Sequence, residues 1–279
     1  MNADLVTEYK GRILKVANLP AMPTTLQEVN RLMASPDVST EQIAKVICLD
    51  QTLASRVLRM VNSPIYGFPG RISSVQHALI ILGFNVIRGL IISTSVFDSM
   101  HKGMAGLWDH SLGCSLACAE IARAAGRKNP EEFAVAGLLH DISKAVCALQ
   151  IPEAKAEIDA LVAAEDICFH DAEIRVLGFS HTRVNKWLCE HWNLPLLISE
   201  GMVCHHNPLR AEFHPDVAAV VQIGDMFTRI FDCGFGGDSG VNAVDPLGVK
   251  LLGLNQKKIE ALLDSVGEEI AAVLAQLKG

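Results

Sequence analysis

The chain has 279 residues, half of them apolar and a fifth charged. That length and apolar fraction support a sizeable buried core and exclude a wholly disordered chain. Lysine and arginine number 24 against 31 acidic residues, a net charge of −7, with no run of five like charges. A general basic footprint for nucleic acid and a polybasic membrane anchor are both missing.

In chain order, Met1 to Lys10 carry Asp4 and Glu8 and lack the apolar run of a secretory signal. Thr25 with Glu28, and Ser39 with Gln42, have capping-box spacing and mark two helix starts. Leu26, Val29, Leu32 and Met33, then Ile43, Val46 and Ile47, recur at helical spacing and read as core. Asn62-Ser63-Pro64 is a helix stop, because proline biases the preceding residue away from the helical region. Residues 64–70 then read as a loop carrying Tyr66 and Phe68.

The most apolar stretch, Ala78 to Phe97, is interrupted by Asn85, Arg88 and Ser93 to Ser95. A central arginine costs about 2.5–3.5 kcal/mol in a bilayer, so this stretch reads as a buried helix, not a membrane span. Asp98 to Gly106 is small and polar and suits a connection between an N-terminal part, residues 1–98, and a second part, 99–279. Asn129-Pro130 with Glu132 marks another helix start. Cys233 to Gly240, CGFGGDSG, reads as a flexible connection, since it lacks the lysine and threonine of a phosphate-binding loop. In the tail, Ile259, Leu262, Leu263, Val266, Ile270, Val273, Leu274 and Leu277 form one helical stripe. Alternating patterns are scarce and aromatics are only 5%, so the expected fold is all-α. The eight cysteines contain no CxxC pair and read as reduced thiols of a cytoplasmic chain without disulfides, a monomer or weak dimer.

The histidines carry the chemistry. His110 stands in LWDHSLGC, His140-Asp141 in AGLLHDISK, His181 in GFSHTRVNKWL, and His205-His206 in MVCHHNP. Asp225 stands in VQIGDMF. Imidazole and carboxylate together suit a divalent transition metal such as iron, manganese, zinc or nickel, in one or two ions. Lys144 follows Asp141 by three residues on the same helical face, where it could hold a substrate phosphate or pair with the aspartate. His77, His101, His170, His191 and His214 have no such context and read as structural or surface residues.

The order His110, His140-Asp141 and Asp225 resembles the HD superfamily of metal-dependent phosphohydrolases. The resemblance implies those four residues as ligands of one metal. His181, His205 and His206 match the further ligands of dinuclear members such as the HD-GYP phosphodiesterases, in which the HD aspartate bridges both ions. This chain departs from HD-GYP proteins at three points: Asn207-Pro208 follow the doublet, no GYP occurs, and Gly106 stands where those relatives place a further carboxylate. The N-terminal third is similar to an HDOD domain, the HD-related output domain of bacterial signalling proteins. Leu19-Pro20 with Pro23, Asp50 leading to Leu53 and Val57, Val61-Asn62-Ser63 and Leu82-Gly83 carry that similarity. It implies an N-terminal helical bundle packed on an HD-type helical bundle.

Two functions follow as expectations. One is a regulatory module that binds a signalling protein or a nucleotide, with a metal bound. The other is a metal-dependent phosphohydrolase acting on a nucleotide or cyclic dinucleotide, with Asp141 bridging two ions and Lys144 offsetting charge at phosphorus.

Overall fold

The computed structural model describes residues 3–16, 24–33, 35, 37–68 and 70–277, and every regular element among them is helical. The chain divides into two compact units, residues 18–97, and residues 1–17 with 98–279. The first helix, α1 (Ala3–Val16), therefore goes with the larger unit, whereas the sequence grouped residues 1–98 together.

The smaller unit contains α2 (Thr24–Met33), α3 (Thr40–Cys48), α4 (Gln51–Val61) and most of α5 (Val75–Gly103). Its core includes Leu26, Val29, Ile43, Ile47, Val57 and Val61, all buried, as helical spacing required. Ser39 and Gln42 form both halves of the expected capping box. The other expected box does not form: α2 begins at Thr24, so Thr25 lies inside the first turn, and Glu28 pairs with Arg31 instead. Asn62 ends α4 and does a second job. Its side chain donates to the carbonyls of Leu58 and Ile72 and accepts from the Ile72 amide, which staples the following segment to the helix end. Pro64–Tyr66 is a 3-10 turn, not open loop, and both Ile65 and Tyr66 are buried. Leu19, Pro20 and Pro23 lie outside the described residues.

Val75–Val96 is long and apolar enough to cross a membrane, and 67% of its most apolar 18 residues is buried within the protein. Gly83 breaks it with φ 75° and ψ 174°, a conformation open only to glycine. Residues 98–103 are helical, contrary to the expected connection. They hold no proline to stop the helix, which runs to Gly103.

The larger unit continues with α6 (Leu107–Ala124), α7 (Pro130–Leu139), α8 (Ile142–Gln150), α9 (Pro152–Glu165), α10 (Phe169–Leu177) and α11 (His181–Trp192). It ends with α12 (Leu196–Cys204), α13 (Pro215–Ile230), α14 (Pro246–Leu251) and α15 (Gln256–Leu277). Proline opens α7, α9, α13 and α14, where its missing N–H costs nothing. Asn129 precedes α7 in the left-handed region, with φ 53° and no side-chain cap, so proline rather than a capping hydrogen bond starts that helix. Helix α6 is central and packs on α7, α13 and α15, and α12 packs on α7, α11 and α13. Helix α1 packs on α8 and α11 through buried Ile13, the Lys10 ammonium over the Trp187 ring, and Arg12, which donates to the Gln150 carbonyl. The α15 stripe buries Leu262, Val266, Ile270 and Val273; the side chains of Leu274 and Leu277 lie outside the described ones.

Candidate metal centre

Small residues bring three ligand-bearing helices together. A Cβ on Gly137 of α7 would lie 2.6 Å from Cys118 Sγ and 2.9 Å from the Cys114 carbonyl of α6. One on Gly224 of α13 would lie 2.8 Å from the same sulfur. Only glycine permits this approach. The ligand candidates follow directly: His140 caps the C-terminus of α7, Asp225 is next to Gly224, and His110 stands in the first turn of α6. His140 and Asp141 lie at the joint between α7 and α8, not within one helix. Asn185 of α11 secures that joint by donating to the carbonyls of His140 and Met202, at 2.5 and 2.9 Å.

The seven candidates converge as two triads around one carboxylate. The inner triad is His110, His140 and Asp225; the outer is His181, His205 and His206; within each, one ligand atom per residue lies within 4.8 Å of the others. Asp141 stands between. Its Oδ2 is 3.3 Å from His140 Nε2 and 3.7 Å from His110 Nε2. Its Oδ1 is 3.3 Å from His181 Nε2 and 3.9 Å from His205 Nε2. Asp225 Oδ1 lies 3.0 Å from His110 Nε2. All of these except His206 are 5% exposed or less.

The ring nitrogens are set for coordination. His140 Nδ1 bonds the Gly137 carbonyl at 2.7 Å, and His205 Nδ1 the Met202 carbonyl at 2.9 Å. A carbonyl only accepts, so each Nδ1 carries hydrogen and, in the neutral ring, each Nε2 is a bare lone pair. His181 Nδ1 meets the Glu173 carboxyl at 2.5 Å, the arrangement of a carboxylate behind a metal-binding imidazole. Burial lowers the pKa of His181, His205 and His206 well below the usual histidine value, keeping them neutral. Burial also opposes charging of Asp141 and Asp225, but nearby cationic and hydrogen-bonding groups outweigh it and hold both carboxyls well below their usual range. His140 differs: burial lowers its pKa, but the Asp141 and Asp225 carboxylates outweigh that and hold it well above the usual histidine value. An incoming ion must therefore displace its proton, since neutral imidazole and ionised carboxylate are the states that bind metal.

The residues fit a metal. His140 Nε2 and Asp141 Oδ1 are buried without a well-aligned hydrogen bond, and His110 Nε2 has only the Asp225 carboxylate, 3.0 Å away. Such orphans are costly in a protein interior, and a cation at each triad would satisfy them. The Nε2 atoms of His181 and His205 face each other at 3.3 Å, and those of His206 and His181 at 3.2 Å. A mixed nitrogen and oxygen donor set suits a borderline divalent ion and not calcium.

Lys144 is pinned. Its Nζ donates to Asp141 Oδ2 at 2.6 Å and to the Gly236 carbonyl at 2.7 Å, and it lies 5.3 Å over the Phe169 ring. Of the two roles its spacing allowed, it makes the pairing with the aspartate, and its ammonium is buried away from solvent.

The segment read as a flexible connection is instead part of the centre. A Cβ on Gly234 would fall 2.3 Å from the His110 amide, and one on Gly236 would fall 3.2 Å from His110 Nε2. Gly237 has φ 117° and leaves no room before the Phe169 ring. Asp238 accepts from the Phe169 amide at 2.8 Å and from Arg229 at 2.8 Å. Gly106, with φ 83°, receives this loop: its carbonyl accepts from Phe235 at 3.0 Å, and a Cβ would strike Phe235. The position where dinuclear relatives carry a carboxylate is thus a seat for backbone.

Sequence reasoning missed four side chains. Arg229 holds both oxygens of Asp225 at 3.0 and 3.1 Å, and its i+4 spacing was the available signal. Glu173, Asn185 and Asp238 left no local signal. His170, read as structural or surface, stacks on His206 at 4.4 Å between ring centres.

Known proteins agree with this architecture. A protein of Treponema pallidum (strain Nichols), described as uncharacterized, is 24% identical over 223 residues. That alignment covers 78% of this chain, which spans less than half of that relative, 44%. Among solved structures, an HDOD domain protein of unknown function from Geobacter sulfurreducens is 28% identical, with a TM-score of 0.72 covering 96% of this chain and 98% of that one. A candidate signal transduction protein from Marinobacter aquaeolei VT8 has a TM-score of 0.74 at 19% identity, over 98% of this chain and 64% of that one. A candidate metal-dependent phosphohydrolase from Shewanella amazonensis SB2B has a TM-score of 0.61 at 14% identity, over 97% and 99%. The last two likenesses concern the fold alone. The model of the HDOD domain family matches residues 19–208, more than half of the chain, and on that match the chain belongs to the HDOD family.

Proposed function

We propose that this chain is a regulatory HDOD module of bacterial signalling that holds one or two divalent transition-metal ions and acts by binding a protein or nucleotide. The observation that carries the regulatory reading is closure. His110, His140, Asp141, His181, His205 and Asp225 are all 5% exposed or less, and Gly236 lies directly on His110. In the metal-free protein that backbone stands between a substrate phosphate and the inner triad.

In this reading His110, His140, Asp225 and Asp141 hold one ion, and His181, His205, His206 and Asp141 hold the second. Glu173 orients His181, while Arg229 and Lys144 hold the two carboxylates in place. The module works in the cytoplasm with its eight cysteines as free thiols, as a monomer or weak dimer.

The filled ligand set supports a second reading, a phosphohydrolase acting on a nucleotide or cyclic dinucleotide. Bound ions would lower the pKa of water and neutralise phosphate charge there. His206, the more open member of the outer triad, then faces the substrate side.

Elemental analysis of protein purified without chelator tests the metal, with one or two ions per chain expected. Fewer than about 0.1 ion per chain, far below saturation of a real site, rejects it. Assays of the metal-loaded protein on bis(p-nitrophenyl) phosphate and cyclic dinucleotides separate the readings. No turnover is expected, and sustained hydrolysis lost in Asp141→Ala establishes the second reading.

A further inference from the structure

Two buried cations each have two holds. Lys144 grips Asp141 Oδ2 of the metal centre and the Gly236 carbonyl of the loop at residues 233–240. Arg229 grips both oxygens of Asp225 through Nε, and through its terminal nitrogen grips Asp238 Oδ1 at 2.8 Å and the Gly240 carbonyl at 3.0 Å. Each cation therefore ties one metal-binding carboxylate to the same loop. The oxygens they hold, Asp141 Oδ2 and Asp225 Oδ1, are also those within 4 Å of His110 Nε2 and His140 Nε2.

We propose that the loop at residues 233–240 is a latch over the inner triad, fastened by Lys144 and Arg229 and released when a divalent cation loads that triad. The proposal rests on reading the triads as a metal centre, and it names how that centre is coupled to the protein surface.

Charge gives the direction. Without an ion, the carboxylates of Asp141, Asp225 and Asp238 are paired with the cations Lys144 and Arg229. One divalent ion adds two positive charges beside both of them in a site too buried for water to screen it. The ion also draws on the carboxylate oxygens that both cations hold. Ion, ammonium and guanidinium then repel one another, and the weakest element carrying their contacts is the loop. It lies outside regular structure, and of its side chains only Cys233 and Asp238 are buried. Its remaining holds are the Cys233 amide on the Thr228 carbonyl at 2.9 Å, Cys233 Sγ on the Asp109 carbonyl at 3.3 Å, the Phe235 amide on the Gly106 carbonyl at 3.0 Å, and the Phe169 amide on Asp238 Oδ2 at 2.8 Å.

Amide hydrogen exchange tests this on the full chain, stripped by chelator and then titrated with manganese chloride, with uptake measured by elemental analysis. Exchange at residues 233–240 is expected to quicken at least about tenfold on loading, the factor that accompanies loss of one charge-assisted hydrogen bond, while α15 stays unchanged. Asp238→Ala should reach that fast exchange without metal. Manganese uptake with unchanged or slower exchange overturns the latch and leaves the metal reading standing. Absence of uptake overturns both. Slow exchange in metal-free Asp238→Ala refutes the fastening itself.

Discussion

Glycine 137 offers a sharp test of how the centre is assembled, because alanine there sets two effects against each other. In a helix interior Gly→Ala normally stabilises by about 0.8–1.0 kcal/mol. At this position the new methyl would lie 2.6 Å from Cys118 Sγ and 2.9 Å from the Cys114 carbonyl oxygen. One neighbour is a fully buried side chain and the other is helix backbone, so neither can swing away. Overpacking of this kind costs about 1–3 kcal/mol. The steric effect offsets or exceeds the gain, and the net loss is up to about 2 kcal/mol, or a fall in Tm of up to roughly 8 °C for a unit of this size. The same strain must push α7 away from α6, carrying His140 from His110, so metal retention should fall as well. Gly11→Ala is the matched control. Gly11 lies within α1 with nothing within 4 Å of its missing Cβ, so there alanine should raise Tm by about 2–4 °C. Thermal melts of the two variants, with elemental analysis of each, decide the matter. If Gly137→Ala is as stabilising as Gly11→Ala, close helix packing does not position the ligands.

Asp141→Ala should lose more metal than any other single ligand substitution, since its two oxygens face different triads; equal loss on His206→Ala, measured by elemental analysis, would contradict a shared carboxylate. It should also destabilise by about 3–5 kcal/mol, because buried Lys144 loses the carboxylate it is paired with. Glu173 is raised by burial from 4.5 to about 8, so the folded state keeps a proton that the unfolded chain loses above about 4.5. The sign follows: this group costs metal-free protein nothing below 4.5, costs more with each pH unit up to about 8, and adds no further cost above. Denaturant melts from pH 5 to 9 should show Glu173→Gln gaining on the parent up to about pH 8, and a constant difference across that range would refute the assignment.

Helix type, the core faces of α2, α3 and α15, and the Ser39 cap were legible because they rest on spacings of three and four residues. The ligand candidates were legible too, since an imidazole and carboxylate set in a particular order is chemistry written in residue types. Other features depended on tertiary structure. The capping role of Thr25 failed by two residues of helix start, a matter of local competition that spacing does not resolve. The glycines of residues 233–240 look the same in sequence whether they serve flexibility or contact. Only the approach of His110, Arg229 and Phe169 distinguishes the two, and Lys144 meets Gly236 across 92 residues. Glu173 reaches His181 across the turn at Gly178 that ends α10, and α1 joins the larger unit through Ile13 and Trp187 rather than through its neighbours in sequence. Sequence by itself determined which side chains can bind a metal, because donor chemistry belongs to the residue. Tertiary packing decided that they share one buried place and that backbone closes over it, because burial and distance are properties of the folded chain.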